Sequence, residues 1–115
     1  MITQEQKPVI EKLIFDTAHL KALTMKNDAT HPDSAVIQTT YETKLSQLDE
    51  LLNANLVSNG GHLTAHEKTR IEELLAAMTE ATLAWMNLYP NEGVGHTLTH
   101  TINQVKDYLT SITGA

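Results

Sequence analysis

"VGHTLTHTINQVKDYLTSI", Val94 to Ile112, places Val94, Leu98, Ile102, Val105, Leu109 and Ile112 at successive steps of 4, 4, 3, 4 and 3 residues. Apolar recurrence at mixed three- and four-residue steps is the stripe of an amphipathic helix, whereas a strand would alternate every second residue. At about 100° per residue, His96, His100, Asn103 and Asp107 fall together on the opposite side. The stretch predicts a helix that buries one face and turns its two histidines away from its own core.

Three further blocks repeat the pattern, separated by helix breakers. The first, from about Gln4 to Lys26, carries Val9, Ile10, Leu13, Ile14, Ala18, Leu20, Leu23 and Met25, with Pro8 in its first turn, where proline forfeits no helical hydrogen bond. "NDATHPDSA" interrupts it through Asn27, Asp28 and Pro32, and Asp33 or Ser34 is placed to cap the next helix. That second block reaches about Val57 on a stripe of Ile37, Tyr41, Leu45, Leu48, Leu52 and Leu56. "SNGGH" ends it, since glycine readily adopts the left-handed conformation that stops helices. The third block opens on Thr64 and Glu67, the T-x-x-E spacing of a capping box, with Leu63 able to staple against the first turn. Its stripe is Ile71, Leu74, Leu75, Met78, Ala81, Trp85 and Leu88, and Pro90 stops it. Four helices with short connections predict an all-α protein: a single antiparallel, up-down-up-down four-helix bundle spanning residues 1–115 as one domain.

The first helix differs from the others because its apolar side chains spread around most of the circumference, with Phe15 far round from Leu13 and Leu20. A helix apolar nearly all round needs cover on more than one side. Either it is central to the bundle, or Ile10, Ile14 and Phe15 form a surface for a partner protein or a second copy of the chain.

Composition removes whole classes of function. The absence of cysteine excludes disulfides, thiolate metal sites and cysteine nucleophiles. Fourteen acidic against eight basic residues give a net charge of −6, and the basic residues are scattered singly, so nucleic acid and anionic lipid are disfavoured as partners. A lone Phe and a lone Trp offer no platform for stacking bases. No apolar run approaches the roughly 20 residues of a membrane span, and "MITQEQKPVIEKLIF" lacks the features of a secretion signal; the expected location is the cytoplasm.

Six histidines invite a metal hypothesis, because imidazoles at i and i+4 on a helix can share one ion. His62 and His66 have that spacing but lie on either side of the Thr64 cap, where helical geometry does not apply. "HEKTR" at His66 begins like the zinc-protease motif H-E-x-x-H, yet Arg70 stands where the second ligand is required. His96 and His100 share a face, but it is the outer face; di-iron bundles project carboxylates and histidines inward, and no helix here has a carboxylate in its core stripe. The pair remains a surface metal candidate. His19 invites comparison with histidine phosphotransfer domains, which the chain resembles in architecture only: in His19-Leu20-Lys21-Ala22 the lysine comes one place early and the glycine is missing.

No nucleophile elbow and no phosphate-binding loop is present; "NGGH" and "EGVG" lack the lysine and preceding strand of a P-loop. Glu72, Glu73 and Glu80 read as a solvated face, and Trp85 and Met86 near Tyr89 as the rim of the core. "LTAHEKTRIEELLAAM", Leu63 to Met78, resembles the cap and start of the last long helix of bacteriocin immunity proteins, which are cytoplasmic helical bundles of about this size. The resemblance covers sixteen residues and implies a protein partner. The chain departs from that family in continuing with another whole helix and in being acidic where many members are basic. The expectation is a non-enzymatic interaction or regulatory bundle without a cofactor, with an immunity-like protein as one form and a metal-binding or phosphorelay component as the rival.

Overall fold

The computed structural model describes residues 1–26, 30–87 and 92–114, with the side chains of residues 92 and 93 left aside. Asn27, Asp28, Leu88, Tyr89 and Pro90, to which turn, core or rim roles were assigned above, lie outside the described residues. Among those described are four α-helices: α1 (Gln6–Lys26), α2 (Ser34–Ala54), α3 (Ala65–Asn87) and α4 (Glu92–Ser111). A 3-10 turn, Val57–Asn59, joins α2 to α3. The all-α four-helix bundle expected from the periodicity is the fold observed.

Local chemistry sets the helix ends. Thr64 and Glu67 form the expected capping box, the Thr64 N–H donating to Glu67 Oε1 at 2.8 Å and the Glu67 N–H to Thr64 Oγ1 at 3.0 Å. A second box, unremarked in the sequence, caps α1: Thr3 and Gln6 exchange the same two bonds at 2.9 and 3.0 Å. Gln6 Nε2 also donates to Asn55 Oδ1 at 2.7 Å, tying the start of α1 to the end of α2. Asp33 stands at the N-cap of α2 but makes no side-chain cap; it contributes its backbone carbonyl, which accepts from the Ile37 N–H.

The expected role of the glycine pair needs correction. α2 stops at Ala54, before the glycines, where the Asn55 N–H is shared between the Leu51 and Leu52 carbonyls and Asn55 Nδ2 donates to Leu51 O at 2.8 Å. Gly60 adopts the left-handed conformation, φ 86°, but it ends the 3-10 turn. Gly61 is required for space: a Cβ built there would collide with the backbone of Asn55.

α1 packs chiefly against α3 and α2, α3 against α4, and α1 more lightly against α4. The arrangement reads α2–α1–α3–α4, with α1 and α3 side by side in the middle, and it explains why α1 is apolar on several sides. The molecule measures 44 × 32 × 21 Å, about two helix layers thick. Its 15.0 Å radius of gyration exceeds the roughly 13 Å usual for a chain of about this length.

The core is unequal along its length. Ile2, Ile10, Leu13, Ile14, Leu48, Leu52, Leu63, Ile71, Leu74, Val105, Leu109 and Ile112 form one cluster at the end where α1 and α3 begin and α2 and α4 finish. Ile2 joins it because its backbone pairs with the end of α4, its N–H donating to Ile112 O and its carbonyl accepting from Gly114, both at 2.8 Å. Toward the other end the buried residues are small or polar: Thr17, Ala18, Ala22, Thr79, Ala81, Thr82 and Thr101, with Met78 beside them. The stripes loosen accordingly. Ile37, Tyr41 and Leu45 on α2, and Val94, Leu98 and Ile102 on α4, are only half-buried, and Trp85, expected in the core, is 37% exposed.

Candidate interaction surface

Because α1 is central, its faces differ sharply. Ile10, Leu13, Ile14, Thr17, Ala18 and Ala22 are enclosed. Ile10 and Ile14 have no accessible surface at all, so neither can meet a partner as the sequence reading allowed. Phe15 is half-buried against the core and keeps part of its ring outside. The outward side of α1 carries Pro8, Val9, Lys12 and His19, and Val9 is 50% exposed.

Where this side meets α2 lies an open groove of about 560 Å³. Its walls are Pro8, Val9 and Leu13 from α1 and Leu51 from α2, with Lys12, Asp16, Lys44 and Gln47 at the rim. A shallower hollow of about 370 Å³ follows on α1, lined by Pro8, Glu11, Lys12, Phe15 and Asp16. The two share Pro8, Lys12 and Asp16. The Lys12–Asp16 ion pair, Nζ to Oδ2 at 3.0 Å, is thus a ridge with Val9 and Leu51 on one side and Phe15 on the other. The groove stays open because α2 has α1 as its main neighbour. Farther along the same helix pair, the Lys21 ammonium sits 5.1 Å from the centre of the Tyr41 ring and holds the helices together.

The histidines are scattered over the surface. His96 and His100 are exposed on the side of α4 away from Val105, Leu109 and Ile112, as their phase required. His19, His62 and His66 are exposed on α1, in the loop before α3 and in the first turn of α3. His31 Nδ1 accepts from the Asp33 N–H at 3.2 Å. Among the described residues no group of three or more His, Cys, Asp or Glu side chains is placed to hold a metal ion. Glu72 and Glu73 are exposed and engaged with Lys68 at 3.4 Å and Arg70 at 3.3 Å, while Glu80 is exposed on the same helix. At the far end, the Trp85 ring lies against Gly95, where an added Cβ would come within 3.4 Å of Cζ3.

Tyr108, half-buried beside the first turns of α3, has its phenol pushed above the ordinary value near 10. Burial is the main cause; the Glu67 and Glu73 carboxylates add to it and Arg70 opposes them. The effect belongs to the α3–α4 packing and touches neither the groove nor the His96–His100 face.

The α2 wall of the groove was not legible beforehand. Leu51 sits one position off the Leu48–Leu52 stripe, and that off-stripe leucine is the signal that α2 has apolar surface to spare. Which helix stands beside it is decided by tertiary packing. Among the described residues, no helix is long and apolar enough to cross a membrane. Compared with known proteins, the chain matches no family model, no curated protein and no solved structure. The likeness of Leu63–Met78 to immunity proteins therefore rests on those sixteen residues alone.

Proposed function

We propose that this chain is a small, non-catalytic interaction protein of the cytoplasm that engages another protein through the outer face of α1 and the adjoining groove on α2. The observation that carries this reading is the groove itself: Val9 half-exposed beside Leu13 and Leu51, with Phe15 across a charged ridge. Exposed apolar groups gathered on one face, rimmed by polar ones, are the usual form of a protein-binding site. A groove between two helices suits a third helix, whose side chains at i, i+3 and i+4 enter the space between the walls. The immunity-like form of this reading draws additionally on the Leu63–Met78 resemblance.

The test is to purify the chain from its native host alongside a Val9→Glu variant of unchanged helicity and melting temperature. Position 9 is exposed enough to accept a carboxylate without unfolding. The reading expects a stoichiometric protein companion on the wild type that is lost from the variant. A companion retained equally by both would move the interaction to another face and overturn it.

A further inference from the structure

We propose that the partner lays an acidic amphipathic helix along the α1–α2 groove, with an apolar side chain seated between Val9 and Leu51 and a carboxylate about two turns farther on meeting Lys44. The inference rests on the interaction reading above and names the chemistry of the occupant of the same surface.

The groove changes character along its length. The Gln6–Asn55 hydrogen bond and the Lys21–Tyr41 contact set α1 and α2 antiparallel. Val9 and Leu51 therefore lie toward the end where α1 begins, and Asp16 and Lys44 toward the other. On each helix the two positions are seven residues apart, about 10 Å. Pro8 and Leu13 complete the apolar part, and the charged groups lining the groove are Lys12, Asp16 and Lys44.

One carboxylate thus serves two ammonium groups. Asp16 pairs with Lys12 at 3.0 Å, and the half-buried Lys44 has no ion pair with any described residue. Were Asp16 to turn to Lys44 instead, Lys12 would be left over, so the groove keeps one positive charge in a chain of net charge −6. The neighbouring acids line other surfaces. Glu5 borders a hollow with the first four residues and His62, and Glu11 lies beyond the Lys12–Asp16 ridge. Glu42 and Glu50 line a polar hollow on the far side of Gln47, and Asp49 falls about 160° round α2 from Leu51.

That leftover charge selects the occupant. A helix that covers Val9, Leu13 and Leu51 also takes water from Lys44, and an ammonium stripped of water without a counter-charge is costly. A carboxylate on the occupant removes that cost and adds a charge-assisted hydrogen bond, whereas a lysine there adds repulsion. The groove sets the spacing: about 10 Å along a helix is seven residues, so an apolar anchor at i and an acid at i+7 share the docking face. The charge of the whole chain opposes an acidic ligand, but at physiological salt its reach is only about 8 Å, and the contact at Lys44 decides.

Two synthetic helical peptides that differ at one position test the proposal. Both carry leucine at i, i+3 and i+4; one has glutamate at i+7 and the other lysine. Each is titrated into the full chain at about 0.15 M salt and followed by backbone amide shifts. The glutamate peptide is expected to bind at least about tenfold more tightly, with shifts centred on Val9, Leu13, Lys44 and Leu51. In Lys44→Glu, a half-exposed position that accepts the change without loss of helicity, the order of the two peptides is expected to reverse. Equal affinities, tighter binding of the lysine peptide, no binding of either up to about 1 mM, an order unchanged in Lys44→Glu, or shifts centred on another face overturns the proposal. If the proposal is overturned while the native-host companion is still lost with Val9→Glu, the acidic-helix inference fails and the interaction reading stands. The expected peptide preference with a companion retained by Val9→Glu would instead sink the interaction reading and leave the groove's preference for an acidic helix in place.

Discussion

Thr17 sits in the middle of α1 with 1% of its surface exposed, and among the described residues its hydroxyl is the buried side-chain oxygen that has no hydrogen-bond partner. The other buried threonines behave differently. Thr79, Thr82 and Thr101 donate to the carbonyls of Leu75, Met78 and Thr97, four residues earlier, at 2.8, 2.7 and 2.9 Å. An unsatisfied buried hydroxyl costs about 1 to 3 kcal/mol. Replacing Thr17 by valine keeps the branched shape, removes that cost and adds a buried methyl, while helix propensity barely changes. Thr17→Val is therefore expected to stabilise the fold by about 1 to 2 kcal/mol, or roughly 4 to 8 °C in melting temperature for a domain of this size. Thr82→Val is the control. It discards a hydrogen bond already made, and is expected to gain nothing or to lose up to about 1 kcal/mol. Urea unfolding followed by circular dichroism reads both, provided the slope of the transition is unchanged. If Thr17→Val destabilises as Thr82→Val does, the Thr17 hydroxyl is satisfied and the reasoning fails.

Gly61→Ala forces a Cβ into the Asn55 backbone and is expected to cost more than 2 kcal/mol, roughly the upper range for ordinary substitutions; Gly60→Ala, strained only by its positive φ in open space, is expected to cost about 1 kcal/mol, and equal losses in urea titrations would contradict this distinction. Ile112→Ala, in the large-residue end of the core, is expected to cost about 2 to 5 kcal/mol, against less than about 1 for Ile37→Ala on half-buried α2. Tyr108 has a folded-state pKa above its unfolded value, so its contribution is fully present below pH 10 and is lost as the pH rises through the folded value. Phenolate absorbance should show Tyr108 ionising above the ordinary value near 10, alkaline destabilisation should accompany it, and Tyr108→Phe should abolish both. For the rival metal reading, metal analysis of untagged protein is expected to give well below one ion per chain with no change in His100→Ala; a stoichiometric ion lost in that variant would establish the surface pair as a site.

Periodicity made the helices and most of the core legible, because burial of one face leaves a three- and four-residue imprint that local reading detects. Val105, Leu109 and Ile112 are buried where the α4 stripe put them, and His96 and His100 face outward for the same reason. Thr64 and Glu67 are readable as a cap, and Thr3 and Gln6 carry the same spacing with glutamine in place of glutamate. What the stripe cannot report is how well each part of it is covered. Ile37 and Leu98 have the phase of core residues but lie in the half of the bundle built from alanine and threonine, where the helices are less completely enclosed. Ile2 was invisible because its burial depends on pairing with residues 112–114, more than a hundred positions away. The apolar circumference of α1 left two explanations open, a central position and a surface for a partner, and the packing accounts for the first. Its inner residues Ile10 and Ile14 serve a central position, while Val9 and the outer edge of Phe15 remain available.

The central claim, that this chain works through the outer face of α1 and α2, is tested most directly by a photo-crosslinking amino acid in the native host. One variant places it at Val9 and another at Glu80, on the exposed face of α3. The account predicts a discrete protein adduct from position 9, whether with a second copy or with another protein, and none from position 80. An adduct from position 80 with nothing captured at position 9 would contradict it.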